Sequence, residues 1–527
     1  MNRPLKKPET SPSPEEENAS LKVRIAELQH QLDWFKRQLF GSKSERFIPD
    51  PGAAQQDDLF AAPEDKETPE KSTKVAGHTR LSSRKKRGDE VNDKGLRFDK
   101  DVPRQIIDIK APELQGERAD DYEIIDYKET TRLAQQPGSY IILTYRRPVV
   151  RHKKDQSLTT APAPDNVLEG CYADVSLLSG LMVDKAVYHL PLYRQHQRME
   201  DSGIRVSRGT LTNWMQKAAD LLEPIYKTQR AHILKSTVLA MDEVPIKAGR
   251  KARGKMRNTY YWPMYGEEDE VAFTWSQGRK KEHAINELRD FTGSLLTDGY
   301  AAYEATVAAL NTEETRIIHA VCWAHSRRTF EKALKMEPEA AEQALAFIAR
   351  LYQVEKHIRT ENKSDDPAKH LDQEQILAYR RDYSEPVVKE FFDWVYQQRQ
   401  RPDLLPSNPL SKALLYVHNR VNALKVFLSN PNMPIDTNHL ERALRVIPMG
   451  RKNYLFCWSE LGAKQLGIIQ SLMVTCRLQG VNPYNYLVDV LQRISTHPAT
   501  EIDQLTPRLW KKQFKGKILT SDINNNT

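Results

Sequence analysis

The sequence predicts a multidomain α/β protein, and three observations carry that prediction. Two apolar runs, Ser236-Thr237-Val238-Leu239-Ala240-Met241 and Ser294-Leu295-Leu296-Thr297, each stop abruptly at an aspartate, Asp242 and Asp298. Apolar, partly β-branched stretches of that length read as buried strands. Helical periodicity alternates with these strands and then takes over completely beyond residue 326, while the length of 527 residues is enough for several domains. A buried strand that ends in a carboxylate also puts an anionic oxygen at the rim of a sheet.

Composition narrows the function classes. The formal charge of +8, with a pI of about 9.0, suits a polyanionic partner. No apolar run approaches the roughly 20 residues that span a bilayer, and the polar, Pro-rich start does not read as a secretory signal. The expectation is a soluble, cytoplasmic protein with no membrane partner. Cys171, Cys322, Cys457 and Cys476 are far apart and form no CxxC pair, which argues against a disulfide framework or a zinc ribbon.

In chain order, residues 1–20 are expected to be disordered. Residues 21–45 form a helix whose Leu21, Ile25, Leu28, Leu32, Phe35 and Leu39 recur four and three apart. That spacing makes either the seam of a short coiled coil, through which the chain forms a homodimer or higher oligomer, or one amphipathic helix packed on the body. Residues 46–94 read as a linker in which Arg84-Lys85-Lys86-Arg87 is either a phosphate contact or a solvated charge run. Strand-like pieces at 104–109, 122–127 and 139–150 make 95–160 a small β-rich module. Residues 173–228 read as a helix-turn-helix region: a segment Tyr188–Met199, a break at Asp201-Ser202-Gly203, and a second helix capped by Ser207. In such a motif the second helix enters the major groove, which makes Arg205, Arg208, Thr210 and Asn213 candidate DNA contacts. An ordinary helix pair of an all-α region is the other reading.

The next stretch has a distinct element order. The strand ending at Asp242 is followed by strand-like runs Thr259–Tyr265 and Glu270–Trp275, a helix Lys281–Phe291, the strand to Asp298, a helix Ala301–Leu310 and a strand Arg316–Val321. This β-β-β-α-β-α-β order is the ribonuclease H-like plan, in which acids of the first and fourth strands lie side by side. The catalytic domain is predicted over 233–325 and 430–480, interrupted by an all-helical insertion at 326–428 and followed by a helical tail, 481–527.

A third acid comes from the stretch Asp436–Arg445, which reads as a helix. Leu440, Leu444 and Ile447 form its buried stripe, leaving Glu441 on an adjacent face. Glu441 either joins the two aspartates or pairs with Arg445 one turn on. Asp436 reads as an N-cap and Glu243 as pointing to the opposite side of its strand. Cleaving a phosphodiester needs an activated oxygen nucleophile and charge relief on the leaving oxygen, which two Mg²⁺ (or Mn²⁺) ions about 3.5–4 Å apart supply. Asp242, Asp298 and Glu441 are therefore the predicted catalytic and metal-binding residues, hard oxygen ligands of the kind Mg²⁺ takes. Without metal, mutual repulsion should raise the pKa of at least one of them.

Basic groups cluster near these acids. Lys247, Arg250, Lys251, Arg253, Lys255 and Arg257 form a cationic hairpin after Asp242; Arg279, Lys280 and Lys281 lead the helix before Asp298; Arg442, Arg445, Arg451 and Lys452 surround Glu441. With His325, Arg327 and Arg328, of which Lys255, Arg257 and these three are singled out alongside the Glu441 group, they are candidate contacts to a DNA backbone. Trp323 and Trp458 are candidates for stacking on bases, with buried packing as the alternative. Cys322 and His325 share a C-x-x-H spacing without the remaining ligands of a finger, so no zinc is expected.

These residues resemble the DDE-type transposases of the IS66 insertion-sequence family. The resemblance rests on Arg37-Gln38-Leu39-Phe40-Gly41 with Lys43-Ser44-Glu45, Leu190-Pro191-Leu192-Tyr193-Arg194, Asp242-Glu243 and Asp298-Gly299-Tyr300. It continues through Cys322-Trp323-Ala324-His325 with Arg327-Arg328, Asn438 with Glu441-Arg442-Ala443-Leu444-Arg445, and Gly450-Arg451-Lys452-Asn453. It implies a DDE triad of Asp242, Asp298 and Glu441, binding of terminal inverted repeats, cut-and-join transposition on double-stranded DNA, and small accessory proteins encoded beside the transposase. Members usually carry a cysteine-based zinc module before the helix-turn-helix; here 95–155 holds no cysteine. The expected function is thus an Mg²⁺-dependent DNA transposase, with a structure-selective nuclease on the same fold, or a DNA-binding regulator with an inactive core, as the alternatives.

Overall fold

The computed structural model describes residues 97–98, 102–115, 119–136, 138–313, 316–364 and 366–524. The expected N-terminal helix with its Leu21–Leu39 seam, the segment before it, and Arg84–Arg87 in the expected linker lie outside the described residues. The architecture is mixed α/β, and no described helix is long and apolar enough to cross a membrane.

After a short β1 (Arg97–Phe98), strands β2 (Arg104–Asp108), β3 (Tyr122–Gln136), β4 (Ser139–His152) and β5 (Leu158–Thr160) build a sheet in the order β2-β4-β3, with β5 also on β4. β3 and β4 are an antiparallel hairpin closing between Gln136 and Ser139, where Gly138 takes φ +87°. β3 far outruns the expected piece 122–127, while β4 matches the expected 139–150 to within two residues. Leu133 and Ile142 pack toward the body and Ala134, Leu143 and Tyr145 form a small core on the other face, whereas Ile124, Ile125 and Tyr127 at the open end are exposed.

Helix α1 (Val175–Ala186) starts at Asp174, whose carboxylate accepts the Ser176 N–H at 2.8 Å. Helix α2 (Leu192–Asp201) begins four residues later than the sequence suggests. His189 takes φ +57° and Pro191 caps the helix, so Tyr188–Leu190 cannot continue it. β6 (Ile204–Arg205) pairs with β1, and α3 (Arg208–Ile233) follows with Ser207 Oγ accepting the Thr210 N–H at 3.0 Å.

The central sheet contains β7 (Val238–Met241), β8 (Val244–Ala252), β9 (Lys255–Gly266), β10 (Val271–Ser276), β11 (Gly293–Thr297) and β12 (Ile317–Val321), linked in part by α4 (Lys281–Leu288) and α5 (Ala301–Leu310). Its order is β10-β9-β7-β11-β12, with β8 on β9; β7, β11 and β12 are parallel and the rest antiparallel. Both faces are covered, which is why Val238–Met241 is buried throughout. Leu239, Met241 and Leu295 face a core shared with α1 and α3. Val238, Ala240 and Leu296 face a second core made with the later helices.

The helices after β12 are α6 (Trp323–Glu331), α7 (Pro338–Glu361), α8 (Gln373–Tyr379), α9 (Glu385–Arg399), α10 (Pro409–His418), α11 (Val421–Lys425), α12 (Asn438–Leu444), α13 (Val446–Tyr454), α14 (Glu460–Leu478), α15 (Pro483–Arg493) and α16 (Pro507–Gln513), of which α15 and α16 pack into the first core. Buried Arg380, in a π-helical turn after α8, pairs with Glu355 at 2.8 Å and donates to the carbonyls of Phe427, Asn430 and Met433. It fixes the segment that leads into α12. α14 covers the free edge of the sheet: Ser471 Oγ and Thr475 Oγ1 accept the Phe273 and Val271 N–H groups of β10 at 2.8 and 3.1 Å. A Cβ on Gly467 would stand 2.6 Å from the Phe273 carbonyl oxygen, so glycine permits this approach.

Candidate active site

β7 and β11 run parallel with Val238 beside Ser294 and Ala240 beside Leu296. Carrying that register two residues on brings Asp242 beside Asp298. Alternation puts both on the face of Ala240 and Leu296, toward the core that contains Leu440 and Leu444 of α12. Glu243, one residue on, goes to the other face, where its carboxylate accepts the Tyr303 hydroxyl at 2.9 Å and pairs with Arg279 at 2.6 Å.

The turn carrying Asp298 is clamped from the end of α10 and the start of α11. Its Oδ1 accepts the Tyr300 N–H at 2.8 Å, and its carbonyl accepts the Tyr416 hydroxyl at 2.6 Å. Gly299 takes φ +85°, and its carbonyl accepts Arg420 Nη2 at 2.8 Å. A Cβ at Gly299 would lie 2.8 Å from both the Tyr416 hydroxyl and Arg420 Nε. That close approach explains the glycine after the acid.

Glu441 reaches the same region through Cys322 and Trp323. The Cys322 N–H donates to the Thr297 carbonyl at 2.9 Å, and the Trp323 N–H to the Ile435 carbonyl at 3.0 Å. The buried Cys322 thiol accepts both the N–H and the hydroxyl of Thr437 at 3.3 Å. This joint docks the start of α12 onto the end of β12. Trp323 is buried and donates its indole N–H to the Leu424 carbonyl, so its role is packing rather than stacking. Thr437 is the N-cap residue; Asp436 instead accepts the Asn438 N–H at 3.0 Å.

The charges interact. Burial first, then the Asp298 carboxylate and to a lesser degree Glu243 and Glu441, push the Asp242 carboxyl up to about 7. Glu441 does not pair with Arg445. Arg328 Nη2 contacts both of its oxygens, 2.7 Å to Oε1, and Arg328 Nη1 lies 2.9 Å from His325 Nε2. His325 Nε2 is 4.0 Å from Glu441 Oε1, while His325 Nδ1 is buried without a hydrogen-bond partner. Burial, followed by the Arg328 charge, lowers the His325 pKa.

The other basic candidates fall into two groups. Arg205 on β6 and Arg208 and Asn213 at the start of α3 are exposed and Thr210 is half-buried, with Arg208 over the Tyr193 ring at 5.7 Å. Lys255 and Arg257 lie on β9, Arg442 and Arg445 are exposed around α12, and Arg451 and Lys452 are on α13. Arg257 pairs with Glu460 at 3.1 Å, and Arg327 with Glu331 at 3.0 Å along its own helix. Arg451 donates to the Pro245 carbonyl of β8.

Two features of the site leave no trace in the order of residues. Tyr416, on α10, and Arg420, which caps the start of α11, hold the Asp298 turn from more than a hundred residues away. His232, Glu268 and Glu270 also meet: one ligand atom from each lies within 4.8 Å of the others, a closeness that, among the described residues, the Asp242, Asp298 and Glu441 set does not reach. Arg508 pairs with Glu268 at 3.0 Å and Glu270 at 3.3 Å, which already supplies that cluster with a cation.

Comparison with known proteins gives this geometry its context. A family model described as "Transposase IS66 family" matches residues 170–465, more than half of the chain. The chain belongs to the IS66 transposase family. Two further models agree with this, "IS66 C-terminal element" over residues 471–508 and "Transposase C of IS166 homeodomain" over residues 27–107. Among curated proteins the IS66-family chain is similar to three from Sinorhizobium fredii. It is 28% identical to "Uncharacterized protein y4jD", over 69% of this chain and 71% of that one. It is 27% identical to "Uncharacterized protein y4hP" over 74% and 72%, and 26% identical to "Uncharacterized protein y4qI" over 78% and 77%.

Proposed function

We propose that the protein is a DDE-type DNA transposase with a ribonuclease H-like catalytic domain over 233–325 and 430–480. In this reading Asp242, Asp298 and Glu441 hold two Mg²⁺ or Mn²⁺ ions. The observation that carries it is the neighbouring position of Asp242 and Asp298 on one face of parallel strands, with Glu441 interacting electrostatically with Asp242. The central strand order, antiparallel on one side of β7 and parallel on the other, supports the fold assignment.

The donor set suits the ions: three carboxylates, half-buried, with Asp242 forced up to about 7 by burial and by its acidic neighbours. When bound, divalent metal activates the attacking oxygen and relieves charge on the leaving oxygen. The chain's own part is positional. Tyr416 and Arg420 hold the Asp298 turn, the Cys322–Thr437 joint holds the Glu441 helix, and Arg328 and His325 offer donors to a substrate phosphate. The DNA would also run over Arg327, Arg442, Arg445, Arg451 and Lys452 and along the β8–β9 hairpin at Lys255 and Arg257, bringing a transposon end to the acids.

We assign the remaining segments accordingly: 173–228 as the helix-turn-helix that reads the inverted repeats through Arg205, Arg208, Thr210 and Asn213, 326–428 as an insertion that buttresses the sheet, and 21–45 as the oligomerisation helix. A strand-transfer assay with a labelled transposon end tests the reading. Wild-type protein should give covalently joined products, and Asp298→Ala should keep end binding while losing cleavage. Cleavage without joining would make the protein a nuclease instead, and undiminished activity in Asp298→Ala would remove the triad.

A further inference from the structure

We infer that the groove between the β8–β9 hairpin and α13 takes up single-stranded DNA, with Trp458 as a stacking platform for an unpaired base. The groove has a volume of about 1170 Å³, and Lys247, Lys251, Lys255, Arg257 and Arg451 line it. Of these five, only Arg257 is ion-paired among the described residues, to Glu460. Its walls continue directly from the elements that carry two of the acids: β8 begins two residues after Asp242, and α13 follows the helix of Glu441.

The segment that closes the groove is tied down. The Cys457 N–H donates to the Lys247 carbonyl at 2.9 Å, and the Gly249 N–H to the Cys457 carbonyl at 3.2 Å. Phe456 lines the groove, and the Trp458 ring packs edge-on against it, centroids 5.4 Å apart. Two residues further on, Glu460 contacts Arg257 and Gln277 of the lining. The backbone that carries Trp458 is thus anchored on both sides, and the ring, held on one edge by Phe456, is 73% exposed, with Leu455 at 64% and Leu461 at 53% beside it in sequence. Leu455 also takes φ +62°, a left-handed conformation that a leucine adopts only when its surroundings impose it.

Fixed cations alone suit any DNA backbone. An exposed indole on an anchored backbone suits bases whose faces are free, because a duplex covers them by its own stacking. Cationic groove plus aromatic platform is the combination that binds single strands with little sequence preference. This inference rests on the DNA-processing reading and adds the form of DNA that the groove accepts.

The test is equilibrium binding in EDTA, so that no cleavage enters, using a labelled single strand of roughly 15 nucleotides and the matching duplex. Trp458→Ala should weaken the single strand by about five- to a hundred-fold, leaving the duplex within about twofold. Trp458→Phe should restore most of the loss, which a merely misfolded variant would not do. Lys251→Glu should weaken both forms and flatten their salt dependence. Equal loss on both forms in Trp458→Ala, no loss on either, or no single-strand binding by the wild type would overturn the inference. A protein that binds the single strand through Trp458 but never joins DNA would sink the transposase reading and leave this one standing; joining with unchanged single-strand affinity in Trp458→Ala would do the reverse.

Discussion

Arg328 holds the Glu441 carboxylate by both oxygens, so the third acid of the proposed triad is engaged by a guanidinium of the same chain. The two groups are partly exposed, with side-chain exposures of 44% and 27%. An exposed pair of this kind contributes only about 0.2–1 kcal/mol. Glu441 can therefore leave Arg328 for a divalent ion, and Arg328 can leave Glu441 for a phosphate, at small cost.

Removing the competitor should favour the ion. Arg328→Ala is expected to raise Mn²⁺ affinity in the absence of DNA by about 1.5- to 5-fold, the range set by that pair. Isothermal titration reads it. An unchanged affinity would mean that Arg328 and the ion do not share Glu441.

Gly299→Ala should destabilise the protein and disturb the Asp298 turn together. At φ +85°, with a Cβ only 2.8 Å from Tyr416 and Arg420, the substitution should cost on the order of 1–3 kcal/mol. Urea denaturation measures the loss. Tyr416→Phe removes one hydrogen bond to the same turn without the steric clash, and should cost about 0.5–1.5 kcal/mol.

His319 makes stability depend on acid. Burial, with Arg420 as the second cause, lowers its pKa to about 4, and Nε2 bonds Thr297 Oγ1 at 2.9 Å next to Asp298. The unfolded value is near 6.5. A depressed histidine pKa means the unfolded chain binds the proton more readily, so this contribution is fully present above about pH 6.5 and is lost as pH falls toward 4. The loss should reach at most on the order of 3 kcal/mol. His319→Gln should flatten the pH dependence of urea midpoints between about pH 7 and about pH 4.

Much of the arrangement could be read from residue order because strands buried on both faces leave unbroken apolar runs. Val238–Met241 and Ser294–Thr297 were visible for that reason, and each carboxylate that ended them stood out. The Leu440, Leu444 and Ile447 stripe is buried as expected and placed Glu441 on the adjacent face, although the helix breaks at Arg445 and Ile447 belongs to α13. Its partner was another matter: spacing along one helix offers Arg445, and only the fold brings Arg328 from α6. Tyr416 and Arg420 were invisible for the same reason, since a clamp between distant segments leaves no periodic trace. β4 was legible almost to its full length, whereas the expected 122–127 piece covers less than half of β3. Trp323 and Trp458 look alike in sequence; one is buried at the Cys322 joint and the other stands outside.

The central claim is that Asp242, Asp298 and Glu441 grip divalent metal. Anomalous diffraction from crystals of the protein soaked in Mn²⁺ tests it most directly. A peak is expected between Asp242 and Asp298, with Glu441 turned from Arg328 toward it. Mn²⁺ bound only at His232, Glu268 and Glu270, with Glu441 still on Arg328, would contradict it.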